Sequence, residues 1–204
     1  MASGETRRPM SASDLATAQR IVELAWRDLP RSHRQLLEAI GADQQAVVDR
    51  PLGEHVDDLI VSAGYQRLSR AEKADLNRAL GVWLHELRLI LVDAGHGKFA
   101  GLNATSYEAA LAHVAWHEWC HALSVARATQ DDVSEGRRLL DLAPSGIAEF
   151  VRQAGYRPRE YTHELVAEIY ATLMARRRRD QRGQPSWLDD ALYDLVRRVT
   201  GWSE

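Results

Sequence analysis

Start and stop signals for helices recur along this chain and constrain its fold more than any other feature of the sequence. Ser69 and Glu72 have the spacing of a capping box, in which each side chain bonds to the other residue's backbone N–H, and so do Thr105 and Glu108. Glycines and prolines follow the apolar periodic segments, where helices commonly end. The pattern predicts helices over about 11–29, 32–40, 53–62, 69–87, 105–126, 131–142, 145–154, 160–178 and 186–200.

One segment favours a strand instead. Residues 87–92 form an apolar run bounded by turn signals at Gly95 and Gly97. A buried strand is the preferred interpretation, continuation of the preceding helix is the alternative, and 99–102 is a candidate partner strand. The predicted fold is therefore mainly α with a small β-sheet, organised as an N-terminal helical region over 1–86 and a second region over 87–204. A single compact domain is the other possibility.

Composition excludes several classes of function. The 204 residues carry a formal net charge of only -3, so no global basic field predicts nucleic-acid binding. The single cysteine, Cys120, rules out an internal disulfide. The first ten residues are polar and no apolar run approaches the roughly 20 residues of a membrane span. A cytoplasmic protein with no membrane partner is expected.

The run His117-Glu118-Trp119-Cys120-His121 carries the clearest chemistry in the sequence, and it falls within a predicted helix. Histidines four residues apart on a helix have Cβ atoms about 6 Å apart, so both imidazoles can bind one tetrahedral metal ion. Glu118 is rotated about 100° from His117, where it can contact a metal-bound water. A partial repeat at His85-Glu86 has Leu89 in place of the second histidine and predicts no site.

This run resembles the HExxH signature of zincin metallopeptidases. The resemblance implies a zincin-like core within 87–204, Zn²⁺ as the cofactor, His117 and His121 as its ligands, and Glu118 as the general base. The alternative is that the two histidines are partly buried residues satisfied by hydrogen bonds, without a metal.

A catalytic zinc needs a third protein ligand, and Glu164 is the predicted one. Glu168 lies one helical turn later on the same face. The pair resembles the gluzincin pattern, which implies Glu164 as ligand and Glu168 as the acid that orients His117, although that family more often has Asp at the second position. The stretch Ala167–Met174 is similar to a helix of the ImmA/IrrE peptidases, an alignment that favours Glu168 or His163 as the ligand instead.

The predicted function is that of a zinc-dependent peptidase acting on a peptide or protein substrate. A donor is needed for the charge that develops on the substrate's carbonyl oxygen; Tyr161 is the predicted catalytic donor, with Tyr156, Arg157 and His163 as alternatives. A non-catalytic helical interaction protein, with a structural or vestigial metal site, is the competing hypothesis.

Overall fold

The computed structural model describes residues 7–153 and 160–202. Over these residues the chain is mainly helical with a three-stranded sheet, which confirms the predicted fold class. The elements are α1 (Ala12–Asp28), α2 (Arg31–Ala39), β1 (Gln44–Val48), α3 (Leu52–Ser62), α4 (Arg70–Leu76), β2 (Gly81–Leu84), β3 (Leu89–Asp93), α5 (Ala104–Arg127), α6 (Gln130–Leu139), α7 (Ser145–Gln153), α8 (Tyr161–Arg178) and α9 (Asp190–Thr200), with short 3₁₀ turns at Gly97–Phe99 and Leu140–Leu142.

The chain folds into two compact units, each made of two separate segments. Among the described residues, the first unit combines 7–27 with 42–115, and the second combines 28–41 with 116–153 and 160–202. The predicted division into an N-terminal helical region over 1–86 and a second region over 87–204 stays a prediction. No helix among the described residues is long and apolar enough to cross a membrane.

The sheet of the first unit is built around β3. Its order is β1-β3-β2, with β1 parallel and β2 antiparallel to β3. Ile90, Leu91 and Val92 are fully buried, as expected of a central strand. The strand predicted at 87–92 is thus confirmed, shifted slightly to Leu89–Asp93.

Two sequence predictions about this region are wrong. The helix expected over 69–87 ends at Leu76, and Gly81–Leu84 is strand β2, whose Trp83 lies opposite Ile90 of β3. The helical spacing of its apolar residues gave way to pairing with a buried strand, a case of tertiary context overriding local pattern. The partner strand expected at 99–102 is also absent, because a 3₁₀ turn occupies Gly97–Phe99 and β1 pairs with β3 instead.

Helix caps agree with the sequence in part. Ser69 and Glu72 form the predicted capping box, with Ser69 N donating to Glu72 Oε2 at 2.8 Å. The box predicted at Thr105 is wrong, since α5 begins one residue earlier and Asn103 Oδ1 accepts from Ser106 N at 2.9 Å. An Asn side chain satisfies the first turn as well as Ser or Thr does.

The second unit is centred on α8, most of whose residues are buried. Tyr170, fully buried on α8, lies with its hydroxyl oxygen 2.8 Å from Nδ1 of His33 on α2. Burial lowers the pKa of His33 to about 4, so its imidazole is neutral at pH 7. Arg198 of α9 pairs with Asp132 of α6, their nitrogen and oxygen atoms 3.3 Å apart. These contacts join four helices of the unit.

Candidate metal centre

Three side chains of the second unit bring their ligand atoms together. Nε2 of His117 lies 3.0 Å from Nε2 of His121 and 3.3 Å from Oε2 of Glu164. Nε2 of His121 lies 3.5 Å from Oε1 of Glu164. One ligand atom from each residue falls within 4.8 Å of the others, and the group is largely buried, so these residues can hold a metal ion.

The pairing of α5 with α8 assembles this group. His121 contacts Glu164, and His117, one turn earlier on α5, contacts Glu168, one turn later on α8. Such a register means that the two helices run antiparallel along the site. Because the spacing is four residues on each helix, His117 and His121 lie on one face of α5, and Glu164 and Glu168 lie on one face of α8.

Glu168 lies behind the first histidine. Its Oε1 is 3.1 Å from Nδ1 of His117, the ring nitrogen that faces away from Glu164. A carboxylate in this position fixes the orientation and tautomer of a metal-binding imidazole. This is the contact expected of Glu168 as the orienting acid, whereas the group that can hold a metal contains Glu164. The assignment of the third ligand stays a prediction until a metal is bound.

His163, the other alternative for the third ligand, has a different partner. Its Nδ1 lies 2.7 Å from Oγ of Ser124, on α5. Ser124 was not among the site residues predicted from the sequence. The available signal was a polar residue three positions after His121 in an otherwise apolar stretch of α5.

The pKa values of the two histidines in the group are shifted in opposite directions. Burial disfavours a charged His117, but the carboxylates of Glu164 and Glu168 outweigh burial and raise its pKa to about 10. Burial, together with the charge on His117, lowers the pKa of His121 to about 4. At pH 7 and without a metal, His117 is therefore protonated and His121 is neutral. The positive charge on His117 lies beside the carboxylates of Glu164 and Glu168.

Glu118, the predicted general base, is buried at 7% exposure, and its charge helps to raise the pKa of His117. The neighbouring Trp116 and Trp119 are almost completely buried and belong to the core. Cys120 is a buried free thiol whose pKa is raised well above its usual value, by burial first and then by nearby carboxylates. It is therefore an uncharged packing residue at neutral pH.

A close contact between α6 and α8 fixes the start of α8, where Glu164 lies. Thr162 Oγ1 donates to the carbonyl oxygen of Val133 at 2.7 Å. Gly136 packs against the same threonine, so that a Cβ added at residue 136 would lie 2.9 Å from Cβ of Thr162 and closer still to its methyl group. Only glycine allows the two helices to approach this closely.

The predicted catalytic donor, Tyr161, is the first residue of α8 and is partly exposed. Its role stays a prediction. The alternatives Tyr156 and Arg157 lie outside the described residues.

Comparison of the chain with models of protein families, with curated proteins and with solved structures found no match. The resemblance to zincin peptidases therefore depends on the residues and geometry described above.

Proposed function

We propose that this protein is a zinc-dependent metallopeptidase that hydrolyses peptide bonds. The observation that carries the proposal is the group formed by His117, His121 and Glu164, with Glu168 against the distal nitrogen of His117. Two imidazoles and one carboxylate are a common ligand set for catalytic zinc, and three protein ligands leave a position open for water. A site with four protein ligands would instead favour a structural role.

When bound, zinc would lower the pKa of a coordinated water and polarise the substrate carbonyl. Glu118 would accept the proton of that water as it attacks the carbonyl carbon, and would later donate it to the leaving amine. Its burial beside His117 supports this assignment, because a carboxylate shielded from solvent interacts strongly with the few groups near it. Glu168 would hold the imidazole of His117 in place throughout.

The test combines metal content with hydrolysis of a general substrate. Purified wild type should contain about one zinc per chain by elemental analysis and should cleave fluorescein-labelled casein. Glu118→Gln should keep its zinc and lose activity by about 10²–10⁴-fold, since only the proton acceptor is removed. Glu86→Gln is the matched control, because exposed Glu86 follows a histidine in the incomplete repeat of the motif, and it should remain fully active.

Undiminished casein cleavage by Glu118→Gln would refute the proposed mechanism. A zinc-containing wild type that cleaves neither casein nor a mixed peptide library would favour the competing hypothesis, a structural metal site in a non-catalytic protein.

A further inference from the structure

The hydrogen bond between Ser124 and His163 continues the pairing of α5 and α8 beyond the candidate metal ligands. Ser124 lies three residues after His121, and His163 directly precedes Glu164. Oγ of Ser124 and Nδ1 of His163 are 2.7 Å apart. The bridge therefore joins the two helices right beside the contact between His121 and Glu164.

The environment of Ser124 determines which ring nitrogen of His163 carries the proton. Ser124 is buried at 1% exposure, and a buried hydroxyl hydrogen needs an acceptor. Among the described residues, the partner found for its Oγ is Nδ1 of His163. The hydroxyl consequently donates to Nδ1, which must be unprotonated to accept. A neutral imidazole has one N–H, so the proton of His163 is on Nε2.

His163 borders the more accessible side of the metal group. The side chain of His121 is 18% exposed, compared with 10% for His117 and 11% for Glu164. His163 is itself partly exposed, in contrast to Ser124 behind it. His163 lies near enough to His121 to help lower its pKa, so a ligand that reaches the metal group on the side of His121 would lie close to His163.

We propose that Nε2–H of His163 donates a hydrogen bond to the carbonyl oxygen of the substrate bound at the metal group, and that Ser124 is a positioning residue that fixes this tautomer. The proposal rests on the proposed function. Negative charge develops on the carbonyl oxygen when water attacks, and a donor held in place beforehand stabilises that charge. His163 thus takes the role that the sequence assigned to Tyr161.

The first experiment measures the tautomer and needs no substrate. In the zinc-loaded full chain labelled with ¹⁵N-histidine, the signals that disappear in His163→Gln belong to His163. We expect the chemical shifts of a neutral ring protonated at Nε2. Ser124→Ala should give a mixture of both tautomers, because Nδ1 loses its donor. A proton on Nδ1 in the wild type would overturn the inference.

The second experiment measures binding of acetohydroxamate, which presents a carbonyl oxygen to a metal. By calorimetry on the zinc-loaded proteins, His163→Ala should bind about tenfold more weakly than wild type, as expected for one lost hydrogen bond. His163→Gln should recover part of the affinity through its amide N–H. His85→Ala, at an exposed position of the other unit, is the matched control and should bind like wild type.

Equal affinities for wild type and His163→Ala would overturn the inference, as would a wild type that does not bind acetohydroxamate. Loss of zinc from His163→Ala would also overturn it, because His163 would then be a ligand. If His163→Ala binds acetohydroxamate more weakly as expected but wild type does not cleave casein, only the proposed function is refuted. Casein cleavage with unchanged acetohydroxamate binding in His163→Ala would refute only the role of His163.

Discussion

At the scale of single residues, the proton on His117 is the one that a metal ion must displace. Its raised pKa, about 10, keeps the imidazole charged at pH 7, whereas that of His121, about 4, leaves the second imidazole neutral. Metal binding requires both to be neutral. We therefore expect His117 to release about one proton per zinc bound at pH 7, and zinc affinity to rise up to tenfold per pH unit towards pH 10.

Calorimetric titration with zinc at pH 7, in two buffers of different ionisation enthalpy, measures the released proton. In the metal-free protein, the same raised pKa of His117 makes the fold less stable as the pH rises. Since the pKa of His117 is raised on folding, its contribution to stability is complete below about pH 6.5 and is lost as the pH rises through about 10. Zinc binding without proton release would contradict the charge state assigned to His117.

Glu168 supports the metal through His117, so neutralising its carboxylate should weaken metal binding without abolishing it. Glu168→Gln keeps the side-chain shape but removes the charge that lies 3.1 Å from Nδ1 of His117. We expect a 10–100-fold loss of zinc affinity, measured by competition with a chelator. Asp131→Asn, at an exposed position on α6, makes the same change of charge and should leave the affinity unchanged.

At the scale of elements, the approach of α6 to α8 should be sensitive to a single methyl group. Gly136→Ala would place its Cβ against Thr162, whose hydroxyl is already held by Val133. We expect a loss of about 1–3 kcal/mol in the free energy of unfolding, measured with urea, and weaker zinc binding because Glu164 lies two residues beyond Thr162.

Gly146→Ala is the matched control, since a Cβ at that glycine of α7 meets nothing within 4 Å. It should be neutral or slightly stabilising. Adding Thr162→Ser to Gly136→Ala removes the clashing methyl but keeps the hydroxyl, so part of the lost stability should return. A Gly136→Ala protein as stable as wild type would show that α6 can move without cost.

Local patterns predicted most helices but not the pairing of strands. The apolar run 87–92 was recognisable because only Arg88 interrupts it and turn signals at Gly95 and Gly97 follow it. Strand β1, with two glutamines in five residues, has no comparable signal. Strand β2 followed a helical spacing by coincidence. Both become strands by hydrogen bonding to β3, which β1 reaches from a distant part of the sequence and β2 through the short connection 85–88.

The same distinction applies to the candidate site. His117, Glu118 and His121 were predictable because one helix sets their spacing. The bridge between Ser124 and His163 joins residues 39 positions apart, and its formation depends on the antiparallel register of two helices. No short pattern in the sequence encodes that register.

At the scale of the whole molecule, the metal group belongs to one unit only. Zinc at 100 times its Kd should stabilise the structure that holds it by about 2.7 kcal/mol. We expect zinc to slow hydrogen exchange in α8 and in the second half of α5 more than in β3, as measured by mass spectrometry of peptides. Magnesium, which prefers oxygen ligands, is the control and should have no such effect. Equal slowing of exchange in β3 and α8 would contradict this expectation.

The interleaving of the two units also sets an order in which they can be completed as the chain is synthesised. The segments of the first unit have all emerged once residue 115 is outside the ribosome. The second unit contains α2, but His33 meets Tyr170 only 137 residues later. For most of translation, the segment that forms α2 therefore lacks its partners, and its nine residues are too few to form a stable helix alone. A chaperone that shields this short segment would act on the second unit long before the metal ligands exist.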